Sequence, residues 1–308
     1  MGADGSGAFV PLTPDPPVSA SLQYLLSGLA VGAIYSLIGL GFSIMWSASR
    51  AANFAHGDVV MLGAVLAVVA VGAGLSLSLA IPLVVLACIV YGMVIERVAV
   101  RPFAKDATGI GWMLATIGIG IMVESYVTIS FGSFARPLAT PLIDKPITLL
   151  GAGIYPQELL IPVFAIVFLL GLETFYRRTM VGRAIRAVAF NPMAAGLMGI
   201  NVKLMTAISF GIAAGLGGVA GILIAPIAQA SATMGLLLGL KGFAVAIIAG
   251  ITKARGVVVM GLLYGVMEKF IEGFISSAAR EAIGFTVIIV LLFAFPQGIF
   301  GRAETLKV

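Results

Sequence analysis

The sequence predicts an all-α polytopic membrane protein with about eight or nine membrane segments, an outer N-terminus and a cytoplasmic C-terminus. Three observations lead to this fold class. Hydrophobic residues make up 60% of the 308 residues and charged residues only 10%. The mean hydropathy is +1.14, so the chain has more apolar surface than a soluble domain of this length can bury. Finally, 13 of the 18 Lys and Arg residues lie in alternate gaps between long apolar runs.

The apolar runs predict the helices, because only a helix satisfies all of its backbone groups within lipid. The second and seventh runs are short for a full span, so either one is predicted to be complete, re-entrant or broken. The nine runs comprise residues 22–47, 59–74, 79–95, 112–131, 159–176, 205–229, 235–251, 257–274 and 282–300.

The basic residues predict the orientation, because Lys and Arg accumulate in short cytoplasmic loops. With the N-terminus outside, only Arg136, Lys145 and Arg280 lie in outer gaps. The inner gaps then hold Arg50, Arg97, Arg101, Lys105, Arg177, Arg178, Arg183, Arg186, Lys203, Lys253, Arg255, Arg302 and Lys307. This balance predicts an outer N-terminus and a cytoplasmic C-terminus, and it accounts for the basic character without a nucleic-acid partner.

The ends of the chain flank a single transmembrane domain, predicted over residues 22–301. Residues 1–21 contain no Lys or Arg and are rich in proline, which predicts a disordered periplasmic tail. Residues 302–308 are predicted to be a cytoplasmic tail. The lone Cys88 lies inside an apolar run, so no disulfide framework is predicted.

The longest predicted cytoplasmic connection, residues 177–204, contains a short helix that we call the loop helix. Asn191 is a good N-cap, Pro192 suits the first helical position, and Gly199 suits the position after the last turn. The loop helix and its caps comprise Asn191, Pro192, Met193, Ala194, Ala195, Gly196, Leu197, Met198 and Gly199. Its exposed side would present apolar side chains, which predicts docking onto another protein, onto its own bundle or onto the lipid interface.

Ionisable residues inside apolar runs face a bundle interior or a water-filled path, because burying them in lipid is costly. Glu124, Lys241 and Glu268 are such residues. We expect Lys241 to pair with Glu124 or Glu268, either lining a translocation cavity and latching its outer gate or locking two helices together. Phe243 and Gln229 are further candidates for the translocation path.

The single histidine, His56, lies between Asn53 and Asp58 just after the first apolar run. The three side chains are expected to form an interior hydrogen-bonded cluster. A lone histidine with one nearby acid predicts no metal site.

Three classes of function compete on the residues alone. A transport subunit driven by separate ATPases fits, because the chain has no G-x-x-x-x-G-K-[ST] motif of its own. An ion-coupled secondary transporter would use the intramembrane Glu and Lys residues for coupling. An intramembrane enzyme would need a nucleophile motif near His56, and the sequence has none.

Four motifs occur in order along the chain. They are Asn53-Phe-Ala-His-Gly-Asp58, Gly182-Arg-Ala-Ile-Arg-Ala-Val-Ala leading into Ala-Ala-Gly-Leu-Met-Gly-Ile-Asn201, Leu240-Lys-Gly-Phe-Ala244 and Pro296-Gln-Gly-Ile-Phe-Gly301. Together they resemble the LivH-like permeases of branched-chain amino acid ABC importers, over residues 22 to 301. Asp58 stands where that family usually has Glu. The resemblance implies a structural signature of the family at seven positions, which are Asn53, His56, Gly57, Asp58, Pro296, Gln297 and Gly298.

The resemblance also implies partners. These are a second, LivM-like permease, two cytoplasmic ATPase subunits that hold ATP and Mg, and a periplasmic binding protein, with no cofactor on this chain. The loop helix would be the coupling helix that lies in a groove of an ATPase. The implied solute is a branched-chain or related amino acid, with urea, short amides and aromatic or other organic acids as the alternatives.

Overall fold

The computed structural model describes residues 17–103, 110–132, 134–143, 145–149 and 152–301. Within these ranges most residues are helical. The helices are α1 (Pro17–Ser49), α2 (His56–Gly72), α3 (Leu77–Ile95), α4 (Gly111–Phe131), α5 (Pro156–Arg178), α6 (Met180–Phe190), α7 (Pro192–Leu197), α8 (Val202–Ala228), α9 (Met234–Ile248), α10 (Ala254–Phe274) and α11 (Arg280–Ala294). A π-helical turn, Glu96–Val100, and a 3-10 turn, Arg101–Phe103, extend α3, and another 3-10 turn covers Pro141–Ile143.

Each of the nine predicted apolar runs coincides with a helix. Among the described residues, five helices are long and apolar enough to cross a membrane, namely α1, α3 with its extension, α4, α5 and α8. The chain is therefore a polytopic helical membrane protein. The count of eight or nine segments and the orientation stay predictions.

The predicted ends of two segments are wrong. Helix α1 begins at Pro17, so residues 17–21 of the predicted disordered tail are helical. Proline suits the first turn of a helix, where its missing N–H costs nothing. At the other end, α11 stops at Ala294 because Pro296 cannot continue a helix. Residues 1–16 and 302–308, the rest of the predicted tails, lie outside the described residues.

Two elements were not predicted. Residues 180–190 of the predicted connection form α6, and the Thr179 side chain caps it by accepting a hydrogen bond from the Gly182 amide at 2.9 Å. An antiparallel hairpin of β1 (Ile147–Leu149) and β2 (Ala152–Ile154) lies against α1. The hairpin was not visible in the sequence, since strands of three residues are too short to show an alternating pattern. Outside it, the regular elements of the described residues are all helical, as the predicted all-α class requires.

Helices α1 and α8 form the centre of the bundle, and α4 and α5 lie mostly at its surface. Glycines allow the close packing around α1. A Cβ placed on Gly28 would lie 2.6 Å from the Cα atom of Val266, and one on Gly32 would lie 2.6 Å from the carbonyl oxygen of Gly261. The backbones of α1 and α10 are therefore in direct contact. Helices in lipid associate through close packing of this kind, because the hydrophobic effect does not drive them together there.

The two short helices, α2 and α9, pack against each other. With 17 and 15 residues they measure about 25 and 22 Å, less than the hydrocarbon thickness of about 30 Å. A Cβ on Gly239 would lie 2.7 Å from the Cα atom of Gly57, so the two backbones meet there. This contact borders the cavity described next.

A candidate translocation cavity and a candidate docking helix

A cavity of about 340 Å³ lies between α1, α2, α4 and α9. Its size falls within the usual range for small-molecule sites, roughly 300 to 1,000 Å³. It contains two acidic side chains, three phenyl rings, three glycines and four aliphatic side chains. These are Phe42, Phe54, Gly57, Asp58, Ile117, Gly120, Ile121, Glu124, Leu236, Gly239, Leu240 and Phe243.

One wall of the cavity consists of three aromatic rings. The centroid of the Phe243 ring lies 5.0 Å from that of Phe42 and 5.5 Å from that of Phe54. The two ring pairs are tilted or edge-on, an arrangement that aromatic pairs prefer over face-to-face contact. The wall is rigid and apolar, and it suits an aliphatic or aromatic side chain of a ligand.

The two acids of the cavity are Asp58 and Glu124. Neither carboxylate has an ion pair or a hydrogen bond to a side chain or backbone group of the described residues. A Cβ on Gly120 would collide with Oδ2 of Asp58, so a side chain at this position would displace that carboxylate. Ionised carboxylates are acceptors only, and the cavity therefore offers acceptors to a cationic or donor-rich ligand.

Lys241 and Glu268 are placed elsewhere, in an ion-pair network between α9, α10 and α11. The Lys241 ammonium contacts Glu268 and lies 2.8 Å from Oε2 of Glu281. The network has three cations and three carboxylates, and the remaining members are Lys269, Glu272 and Arg280. Tyr35 also donates a hydrogen bond to Oε2 of Glu268 at 2.7 Å.

The predicted pairing of Lys241 with Glu268 is thus confirmed, and the expected approach of Glu124 to Lys241 is wrong. Lys241 and Phe243 are two residues apart on α9, which puts them about 200° apart around the helix. The Phe243 ring therefore lines the cavity while Lys241 reaches the network. Neither Lys241 nor Glu268 lines the cavity.

The predicted cluster of Asn53, His56 and Asp58 does not form. The buried His56 ring packs edge-on against Phe42, with 4.8 Å between ring centroids, and no described residue gives its nitrogens a hydrogen bond of ordinary geometry. Asp58 lies two residues further on, and so it faces the cavity instead. The Asn53 side chain accepts a hydrogen bond from the Ala55 amide at 3.0 Å and holds the turn before α2.

The second part of the signature, Pro296 to Gly298, packs against the end of α9. Gly298 and Gly250 both have φ +82°, and the Ile299 amide donates to the Ile248 carbonyl oxygen at 2.7 Å. A Cβ on Gly250 would lie 2.9 Å from the amide nitrogen of Gly301. This contact positions the backbone of the two segments relative to each other, and it offers no side chain for binding a ligand. Gln229, also a path candidate, is exposed at the end of α8 and does not line the cavity.

The loop helix has the predicted caps. The Asn191 side chain accepts a hydrogen bond from the Ala194 amide at 2.9 Å, and Gly199 has φ +82° after the last turn. Met193, Leu197 and Met198 are between 71 and 83% exposed, whereas Ala195 is buried against α6. Three apolar side chains therefore project outward from a capped helix.

Among the described residues, no group of three His, Cys, Asp or Glu side chains is placed to hold a metal ion. The fold and the two sites define a class: a polytopic helical membrane protein with an internal cavity of small-molecule size and an exposed apolar loop helix, features that a transport permease would have. A family model described as "Branched-chain amino acid transport system / permease component" matches residues 24–295. The chain belongs to this family.

The relatives agree with this assignment. The chain is 31% identical to the high-affinity branched-chain amino acid transport system permease protein LivH of Escherichia coli K12, over 93% of this chain and 97% of the relative. It is 30% identical to LivH of Salmonella typhimurium with the same coverage. It is 32% identical to the corresponding protein BraD of Pseudomonas aeruginosa, over 95% of this chain and all of the relative. Among solved structures, PsaBC from Streptococcus pneumoniae in complex with Fab covers 90% of this chain and 92% of its own chain at 13% identity. The TM-score of this match is 0.48.

Proposed function

We propose that this chain is the permease subunit of an ATP-driven importer, and that its solute, a branched-chain or related amino acid, passes through the cavity. The relatives are named for branched-chain amino acid transport, which favours this solute over urea, short amides and organic acids. The single observation that supports a path at this place is the combination of two unpaired carboxylates with an aromatic wall in one cavity.

An amino acid has groups that match both parts of the cavity. Its ammonium group would donate to Asp58 and Glu124, and charge-assisted hydrogen bonds of this kind are the strong ones. Its aliphatic side chain would pack on the ring of Phe243 and its neighbours. The cavity has no basic side chain, so the carboxylate of the solute would be met by the second permease or by water.

Two glycines of α4 provide a matched test. Gly120→Ala would push the Asp58 carboxylate out of its place, whereas Gly118→Ala meets nothing within 4 Å. In membrane vesicles containing the complete importer and its binding protein, we expect Gly120→Ala to lower ATP-driven leucine uptake by roughly tenfold. This corresponds to about 1.4 kcal/mol, roughly the contribution of one hydrogen bond from the ammonium group of the solute to the displaced carboxylate. Gly118→Ala should transport normally. Equal uptake by the two variants would remove the cavity from the path.

The competing class is an ion-coupled transporter that works alone. Its support was the presence of Glu and Lys residues at membrane depth, but Lys241 and Glu268 are satisfied within the ion-pair network and do not line the cavity. Proteoliposomes with this chain alone should show no leucine uptake, and uptake should require the ATPase subunits and ATP. Gradient-driven uptake by the single chain would favour the competing class.

The remaining features of the proposal concern assembly. The N-terminus lies outside and the C-terminus in the cytoplasm of a bacterial inner membrane, and residues 22–301 act as one permease domain beside a LivM-like permease. Two ATPase subunits, which hold ATP and Mg, receive the loop helix in a groove, and a periplasmic binding protein delivers the solute. The exposed Met193, Leu197 and Met198 support the docking, and the excess of basic residues in alternate gaps supports the orientation.

A cysteine at position 193 tests both statements. In a Cys88→Ser background, which removes the only native thiol, Met193→Cys should resist a membrane-impermeant maleimide in intact cells and react in inverted vesicles. Addition of the ATPase subunits to the vesicles should then protect it. Labelling from the periplasmic side of intact cells would overturn the orientation and, with it, the docking.

A further inference from the structure

A second and larger cavity, of about 1080 Å³, lies at the end of the bundle near the loop helix. We call it the basic cavity. The end of α1, the end of α5, one face of α6 and the segment before α10 surround it. Five of its side chains are basic, namely Arg50, Arg177, Arg183, Arg186 and Lys253, and Glu173 is its single acid.

The charge of the basic cavity is not balanced from within. Glu173 is already held in a two-pronged pair with Arg255, at 2.5 and 2.8 Å. Among the described residues, none of the five basic side chains has an ion pair. Five like charges around one space repel each other, so an anion in that space would lower the free energy of the folded state. An anion with several acceptor oxygens, such as a phosphate, suits guanidinium groups best.

The walls of the basic cavity are apolar where they enter the bundle. Leu40, Ile44 and Leu172 line its inner part and are largely buried or shielded. At its rim, the Phe190 ring is 92% exposed and projects beside the basic side chains. An exposed phenyl ring of this kind is unfavourable in water and favourable at the boundary of headgroups and acyl chains.

Helix α6 explains how charge and apolar surface come together. Arg183, Arg186 and Phe190 are three and four residues apart, which puts them on one helix face, and all three line the cavity. Val188 points the other way and is buried in the bundle, and Ile185 is buried where it lines the cavity between the cations and the bundle. Helix α6 thus lies on the bundle with two cations and a phenyl ring turned to the same space. This is the pattern of an amphipathic helix at a membrane interface.

From these observations we propose that the basic cavity binds the phosphate group of an anionic phospholipid, with the acyl chains lying along the Phe190 rim and the apolar inner wall. Basic pockets between membrane helices suit anionic head groups. The apolar rim and wall favour a lipid over a soluble phosphate compound, which would not cover Phe190. An acidic protein surface would also cover Phe190, and the ATPase arm of the experiment below separates it from a lipid. The inference is independent of the proposed solute and of the orientation, since both leaflets of a membrane can contain anionic lipid.

The experiment uses the full chain, purified in detergent, with bound lipids counted by native mass spectrometry. Phosphatidylglycerol is the probe, phosphatidylcholine is the control for the acyl chains, and glycerol phosphate is the control for a free phosphate. The variant Arg183→Gln/Arg186→Gln is compared with Arg178→Gln/Lys203→Gln, which removes the same charge from exposed residues outside the cavity.

We expect the wild type to prefer phosphatidylglycerol over phosphatidylcholine. The cavity variant should bind phosphatidylglycerol about 30-fold more weakly, because each of the two lost cations contributes about 1 kcal/mol near a lipid phosphate. The outer variant should bind like the wild type. If the double variant does not fold, Lys253→Gln alone should weaken binding by a few-fold, roughly what one cation contributes.

Three results would overturn the proposal. Equal loss in both double variants would show non-specific attraction to net charge. Displacement of the lipid by glycerol phosphate at comparable concentration would assign the site to a soluble phosphate. Loss of the bound lipid on addition of the ATPase subunits, with failure of the cavity variant to bind those subunits, would assign the basic cavity to an acidic protein surface.

Discussion

The ion-pair network gives the sharpest prediction about stability, because one substitution changes its charge balance. Lys241→Met removes one of three cations and leaves three carboxylates. Lys241 and Glu268 are each only 3% exposed, so the charge left behind is not simply solvated. A methionine fills the volume of the lysine stem without a charge.

The magnitude follows from the partners that remain. Breaking a buried ion pair by removing one member costs roughly 3 to 5 kcal/mol. Glu268 would keep the Arg280 guanidinium at 3.3 Å and the Tyr35 hydroxyl at 2.7 Å, so we expect the low end, about 3 kcal/mol. Glu268→Gln should cost less, about 2 kcal/mol, because Lys241 would keep Glu281 at 2.8 Å.

The double variant Lys241→Met/Glu268→Gln is balanced again, with two cations and two carboxylates. We therefore expect it to be destabilised by less than the sum of the single changes, with a coupling free energy of about 2 kcal/mol. Reversible unfolding in mixed detergent micelles, followed by circular dichroism, measures these free energies. Lys269→Met is the matched control, since its pair with Glu272 is 24 and 27% exposed and should contribute about 1 kcal/mol or less.

Two results would refute this reasoning. Additive effects of Lys241→Met and Glu268→Gln would show that the two charges do not depend on each other. A Lys241→Met variant with normal stability but without transport would place the lysine in the solute path, in place of the structural lock that its contacts indicate.

Two further predictions concern helix packing and the loop helix. A Cβ on Gly265 would collide with the backbone of Gly32, so Gly265→Ala should lower the free energy of unfolding by roughly 2 kcal/mol. Gly171→Ala, with nothing within 4 Å, should leave it unchanged or raise it by up to about 1 kcal/mol, and equal losses would contradict backbone contact. Asn191→Ala should remove the cap of the loop helix at about 1 kcal/mol, seen as faster amide hydrogen exchange around Ala194. Asn201→Ala, which removes the cap of α8, should leave that exchange unchanged, and no difference between the two would refute the capping role.

Much of the fold could be read from local patterns. Apolar runs located nine of the helices, because the requirement for internal hydrogen bonding in lipid acts on each segment by itself. The loop helix was predicted down to its caps, since Asn191 and Gly199 act on neighbouring backbone groups. The helix α6 was missed, although the spacing of its buried residues Ile185 and Val188 was a visible signal within the connection.

The candidate site was predicted less well, because its members come from distant parts of the chain. Glu124 and Phe243 were named as candidates, but nothing local indicated that they meet Asp58 in one cavity. The aromatic wall was missed, since Phe42 and Phe54 look like ordinary apolar residues in the sequence. His56 and Asp58 were expected to act together, and the helical turn between them points them to different helices.

Local sequence patterns were enough to predict a membrane protein, the positions of its long helices and the short capped loop helix, because each of these features depends on residues close together in the chain. Which charged side chains pair with each other became clear from the tertiary contacts alone. A side chain at membrane depth needs a partner, but the identity of that partner depends on helix rotation and crossing, which are set by close glycine contacts such as that between α1 and α10. For that reason Lys241 belongs to an ion-pair network and Glu124 to a cavity.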